Sequence, residues 1–161
     1  MFSKASDEWA TPGDLYDALD AEFEFVLDAA ATQHTSVVGF PYFGPDHPYG
    51  DGEMGGPDAL VGDWYRVAAG GTVFLNPPYS RCREFIAKAA EEAKKGCTVV
   101  CLIPSRTDTR MWHQYVWDAE QHKPRPGVEV RFIKGRLKFG NSENSAPFPS
   151  AIVIFRPGEK P

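Results

Sequence analysis

Thr72-Val73-Phe74-Leu75-Asn76-Pro77-Pro78-Tyr79-Ser80-Arg81 is the stretch on which the reading of the fold turns. Its four leading residues form a short apolar strand. The two prolines that follow cannot donate to a sheet ladder, so the strand stops at Asn76. Ser80 can then cap a helix over Arg81 to Lys95, giving a strand, loop, helix unit. The period repeats downstream. Cys97 to Ile103 is a second continuous apolar strand stopped by a proline, and Asp108 to Asp118 carries Trp112, Tyr115 and Val116 at helical spacing.

Upstream, Thr11-Pro12 caps and starts a helix with Leu15, Ala18 and Leu19 as its apolar stripe, ending near Glu22. Phe23 to Ala31 reads as a buried strand with Asp28 at its end. Residues 39–57 are dense in Gly, Pro and Tyr and read as a long functional loop within the domain. Val128 to Ile133 and Ala151 to Phe155 have no helix-length segment between them and should pair antiparallel. Helices alternating with buried strands predict one α/β domain over residues 1–161. Its sheet is mostly parallel, with a C-terminal antiparallel strand pair and helices on both faces. Ligands bind such sheets at the carboxyl ends of the strands, which places Asp28, Asn76 and Pro104 on one rim.

A chain of 161 residues suits a single domain without disulfide or metal support. No apolar run approaches the roughly 20 residues of a membrane span, and Met1 to Trp9 lacks the apolar core of a signal peptide. A cytoplasmic protein with no membrane partner is expected. Cys82, Cys97 and Cys101 form no Cys-x-x-Cys pair and the four histidines are scattered, so neither a disulfide framework nor a metal site is expected. Cys97 and Cys101 share one strand face and read as core packing.

The net charge of −5 argues against a generic nucleic-acid binder, since phosphate contacts reward clustered Lys and Arg. The charge is unevenly placed, however. Residues 1–80 hold 2 basic against 13 acidic side chains, whereas residues 81–138 hold 13 against 7, so a basic face remains available.

Asn76-Pro77-Pro78-Tyr79 should occur by chance in only about one chain in a thousand of this length. The prolines stiffen the loop and keep the carbonyls of Asn76 and Pro77 out of the ladder. An exocyclic amine on a nucleic-acid base has two hydrogens to donate, and the Asn76 side-chain oxygen with the Pro77 carbonyl can accept both. That aims the nitrogen lone pair, as methyl transfer requires, and Tyr79 offers a face on which the base can stack. A base inside a duplex must first be flipped out.

The motif looks like the catalytic loop of amino-methyltransferases, and nearly the whole chain resembles the small phage-type DNA N6-adenine methyltransferase family. The matching stretches, in order, are Trp9-Ala10-Thr11-Pro12, Phe25-Val26-Leu27-Asp28-Ala29-Ala30, Asn76 to Ser80, Pro104 to Thr109, Gly135 to Gly140 and Ala146 to Ser150. The resemblance implies a Rossmann-like methyltransferase fold, S-adenosylmethionine as donor, double-stranded DNA as partner, no metal, and a home in phages or prophages. The sequence leaves the oligomeric state open, a monomer included.

By the same resemblance, Thr11-Pro12 and Asp28-Ala29-Ala30 lie beneath the methionine end of the cofactor, with Thr11 bonding its carboxylate and Asp28 its ammonium. Ala29-Ala30-Ala31 stands where many methyltransferases have a glycine-rich turn. Asp58 resembles the acidic acceptor for the cofactor's adenine amine, and no ribose-binding acid is identified. Ser80, Arg106 and Arg110, with Asp108 between them, are expected on the rim near the DNA backbone. Arg131, Lys134, Arg136 and Lys138 alternate with apolar residues and suggest a second backbone contact near Phe139. Trp112, Trp117 and Phe148 read as core. Two other readings keep the motif or the fold: methylation of a protein glutamine amide, or a nucleic-acid-binding module without catalysis.

Overall fold

The computed structural model describes residues 10–31, 41–45, 47, 55–140 and 143–158. Helix α1 (Gly13–Phe23) leads into strand β1 (Phe25–Asp28), followed by the two-residue strands β2 (Tyr42–Phe43) and β3 (Gly55–Gly56). Next come the short helix α2 (Trp64–Val67), strand β4 (Thr72–Leu75), a 3-10 turn at Tyr79–Arg81, helix α3 (Cys82–Lys95) and strand β5 (Thr98–Pro104). A π-helical turn at Trp112–Val116 precedes a small hairpin, β6 (Trp117–Asp118) with β7 (Lys123–Pro124). Strands β8 (Val128–Phe132) and β9 (Ser150–Phe155) close the order.

Seven strands make one sheet in the order β3-β2-β1-β4-β5-β9-β8. Every pair from β3 to β5 is parallel, and β9 alone runs in reverse, antiparallel to both β5 and β8. The expected C-terminal antiparallel pair is therefore present, with β9 set between β5 and β8. Strands β5 and β9 are covered on both faces, which is why they read as unbroken apolar runs. Their side chains alternate between two cores. Val99, Cys101, Ile103, Ala151, Val153 and Phe155 join Trp64 and the Phe85, Ile86, Ala89 and Ala93 face of α3. Val100, Leu102, Ile152 and Ile154 meet Tyr16 and Leu19 of α1, together with Phe139, Ala146 and Phe148. Helices thus lie on both faces, and each fully buried Ile or Leu contributes about 1.5–3 kcal/mol.

Under α3 lies a buried carboxylate. Glu92 is fully shielded, accepts the Trp64 backbone N–H at 2.9 Å, and pairs with Lys88 at 3.2 Å and Lys95 at 2.8 Å. Trp64 itself donates its indole N–H to the Ala59 carbonyl at 2.9 Å, so α2 is tied to α3 through its backbone and to the preceding loop through this ring.

Several sequence boundaries shift. Helix α1 begins at Gly13 with Pro12 at its N-cap, and no side chain caps it; β1 starts at Phe25 because Glu24 turns left-handed (φ 53°) and the Asp20 carboxylate takes the Phe25 N–H. Ser80 lies in the 3-10 turn and does not cap α3, whose N-cap is Arg81. The helix expected from Asp108 to Asp118 is a wider, shorter turn, since Trp117 already pairs with Pro124. Within residues 39–57, read as irregular, Tyr42 pairs with Gly55 and Phe43 with Gly56. Gly55 has φ 98°, and a Cβ there would sit 1.8 Å from the Tyr42 carbonyl oxygen, so only glycine allows this pairing. The strand expected through Ile133 ends at Phe132.

Candidate active site

Chain order reverses between β1 and β4: β1 leads outward to β2, and β4 leads outward the other way to β5. Loops leaving the carboxyl ends of β1 and β4 therefore part, and in open sheets of this kind the switch point is where ligands bind. Asp28 ends β1 there and is 2% exposed, its carboxylate taking the Ala30 N–H at 3.3 Å. On the facing strand the last ladder pair joins Leu75 to Cys101, so Asn76 is the first residue beyond the sheet.

Asn76 Nδ2 donates to Thr11 Oγ1 at 3.1 Å, a contact across 65 residues of chain. Thr11, expected by resemblance beneath the cofactor, also accepts from the diproline loop through its hydroxyl oxygen. With Nδ2 set on Thr11, Oδ1 is the acceptor end of the amide. A threonine hydroxyl that accepts from Asn76 still carries one hydrogen to donate onward. Pro12 holds the adjoining backbone, its carbonyl accepting the Tyr16 N–H at 3.0 Å.

The diproline is stiff and orderly. Pro77 is buried, and the turn bonds begin one residue later: Pro78 O accepts from Arg81 N at 3.0 Å, and Tyr79 O accepts from Cys82 N. The Tyr79 ring stands edge-on to Phe148 (4.9 Å between centroids) and to Phe139 (6.2 Å), which fixes its plane. Burial pushes the Tyr79 phenol well above its usual range and holds the Cys82 thiol at about 11. Neither is an anionic nucleophile at neutral pH.

On the β5 side of this loop lies a cavity of about 380 Å³ walled by Tyr79, Ser80, Arg83, Arg106 and Arg110 among others. Sequence reasoning brought Ser80, Arg106 and Arg110 here. It missed Arg83, although Arg83 lies three residues beyond Ser80. Asp108 is exposed and does not line the cavity.

Ala29 is fully buried in the first core and Ala30 packs against it, so the Ala29 methyl points into the protein and not over the rim. Asp58 follows β3 on the same sheet edge, exposed, and closes a turn by accepting the Leu60 N–H at 2.9 Å. Arg136 and Lys138 are exposed on a segment whose Leu137 and Phe139 pack into the second core beside Tyr79. Lys134 is exposed nearby. Arg131 is a correction. It pairs at 2.7 Å with Glu22 and also with Glu129, and it lies over the Phe23 ring, so it ties β8 to α1 and does not reach for phosphate. Trp112 and Phe148 are core, as read.

Among the described residues no cluster of three or more His, Cys, Asp or Glu could hold a metal ion, and no helix is long and apolar enough to cross a membrane.

A mostly parallel seven-stranded sheet with one reversed strand, together with the family match that follows, makes this a Rossmann-like methyltransferase fold. Over residues 2–161 the chain matches the family described as DNA N-6-adenine-methyltransferase (Dam), and it belongs to that family. Membership implies adenine-N6 methyl transfer as the general activity and DNA as the substrate. No curated protein matches the chain.

Proposed function

We propose that the protein methylates the N6 amine of adenine in double-stranded DNA with S-adenosylmethionine as donor, the target base being flipped out and held by Asn76-Pro77-Pro78-Tyr79. The observation that carries this is the Asn76 amide, set just past β4 at the switch point of the sheet with its donor end tied to Thr11.

The donor set suits the cofactor. A buried acid, Asp28, can accept from its ammonium, the Thr11 hydroxyl can donate to its carboxylate, and Asp58 stands on the same sheet edge for its adenine amine. The inward Ala29 methyl leaves room where a glycine turn would otherwise be needed. Bound there, S-adenosylmethionine supplies an electrophilic methyl on a sulfonium. The protein's own work lies at the acceptor: Asn76 Oδ1 and the Pro77 carbonyl each take one N–H of the amine, drawing its lone pair out of conjugation with the ring; one of these protons is lost once the methyl has been transferred. Tyr79, braced by Phe139 and Phe148, offers the stacking face, and the fixed geometry removes much of the orientational cost. Arg106 and Arg110 with Ser80, and Arg136 with Lys138, are the proposed backbone contacts. The bacterial cytoplasm, in cells carrying a phage or prophage, is the proposed setting.

Incubation with methyl-labelled cofactor tests the acceptor. Label recovered as N6-methyladenine from unmethylated duplex supports the reading; label recovered on glutamine of added protein, with none in DNA, refutes it. A second test concerns Thr11. Thr11→Val keeps the shape but removes the partner of Asn76 Nδ2, and a net hydrogen bond of about 0.5–1.5 kcal/mol corresponds to a kcat loss of about 2- to 12-fold, restored by Thr11→Ser. A raised KM for cofactor with unchanged kcat would instead confine Thr11 to cofactor binding.

A further inference from the structure

We propose that the cavity on the β5 side of the catalytic loop is a phosphodiester clamp for the DNA strand carrying the target adenine, and that Arg83 is one of its ligands. Three arginines, Arg83, Arg106 and Arg110, line it together with Ser80, and no acidic residue does. Among the described residues none of these three arginines is in an ion pair, whereas Arg81, Arg131 and Arg156 are all matched by glutamates. Arg83 is held at the rim by a neutral group, its Nη2 donating to Gln114 Oε1 at 3.4 Å, and the Arg106 guanidinium stands 6.0 Å from the Phe148 ring centroid. Both contacts orient a cation without cancelling it.

A chain with net charge −5 that gathers uncompensated positive charge in one concave wall focuses its field on an anion there. Guanidinium groups bind phosphate oxygens in bidentate fashion. The location selects the source of the phosphate. The strand order is β1, β4, β5, so the catalytic loop after β4 separates Asp28 on one side from this cavity on the other. The charged ends proposed for the cofactor belong to the β1 side, and Tyr79 and Ser80 form the wall nearest the flipped base. Holding the flanking phosphate beside the loop steadies an extruded nucleotide, whose unstacking costs a few kcal/mol. The clamp rests on the reading of DNA as acceptor given above.

Binding to a short unmethylated duplex, measured without cofactor between about 50 and 200 mM salt, tests it directly. Each phosphate contact contributes about 0.9 to the slope of log affinity against log salt. Arg83→Gln should lower that slope by about 0.9, and Arg83→Lys should retain it. Lys94→Gln, the same charge change on the exposed far end of α3, should leave it unaltered. Thermal melting checks that each variant is folded. A wild-type slope in folded Arg83→Gln, or an equal drop in Lys94→Gln, overturns the clamp while leaving methyl transfer untouched. Adenosine monophosphate binding that falls as much as duplex binding would assign the cavity to a free nucleotide and also overturn it. A normal Arg83 effect in a wild-type protein that transfers no methyl group would instead refute the catalytic reading and leave the clamp standing.

Discussion

Asn76→Ala should lower kcat for methylation of duplex DNA by about 10²-fold or more while leaving cofactor affinity close to that of the wild type. The estimate follows the loss on removing one preorganised hydrogen-bonding group from an active site. The Asn76 amide lies beyond the last β4–β5 pair and donates to Thr11, so truncation removes an acceptor without cutting a ladder. Asn76→Asp separates acceptance from the amide itself. It keeps oxygen acceptors at the same place, and the Thr11 hydroxyl can rotate to donate to it, so its rate should fall less than that of the alanine variant. Steady-state kinetics with calorimetric cofactor titration would show both, and near-normal turnover by Asn76→Ala would remove Asn76 from the chemistry.

The largest expected effect on stability is at Glu92. Glu92→Ala leaves the buried Trp64 N–H without its acceptor and strips Lys88 and Lys95 of their shared counter-charge. Leaving a buried N–H unsatisfied costs about 1–3 kcal/mol, and the two lysines keep part of their contact with water. For a domain of this size that is roughly 2–12 °C of melting temperature. Glu92→Gln retains an oxygen for the Trp64 N–H and should lose less. Urea unfolding reads both changes, and an unaltered midpoint for Glu92→Ala would show that α2 and α3 are held together without this carboxylate.

The sheet's centre was legible in the sequence because burial on both faces writes a simple signal. Thr72–Leu75 was read to the residue, and the pairing of the last two strands followed from the missing crossover helix between them. The edge strands were not legible. Tyr42–Phe43 and Gly55–Gly56 are two residues each, and a glycine pair has no side chains to set a period. The diproline loop announced the site, yet the Thr11–Asn76 bond joins residues 65 apart and no local pattern encodes it. Arg131 shows the converse. Alternating basic residues read equally well as a phosphate-binding face or a solvated strand, and the deciding partner, Glu22, lies 109 residues away. Arg83 could have been found, since its three-residue spacing from Ser80 at the start of a helix puts both on one side.

Nucleoside analysis of total DNA from a bacterium lacking its own adenine methylation, expressing either the wild-type chain or Asn76→Ala, bears most directly on the active-site assignment. N6-methyladenine should accumulate with the former and be nearly absent with the latter at equal protein levels. Equal accumulation in both cells, or none in either, would contradict it.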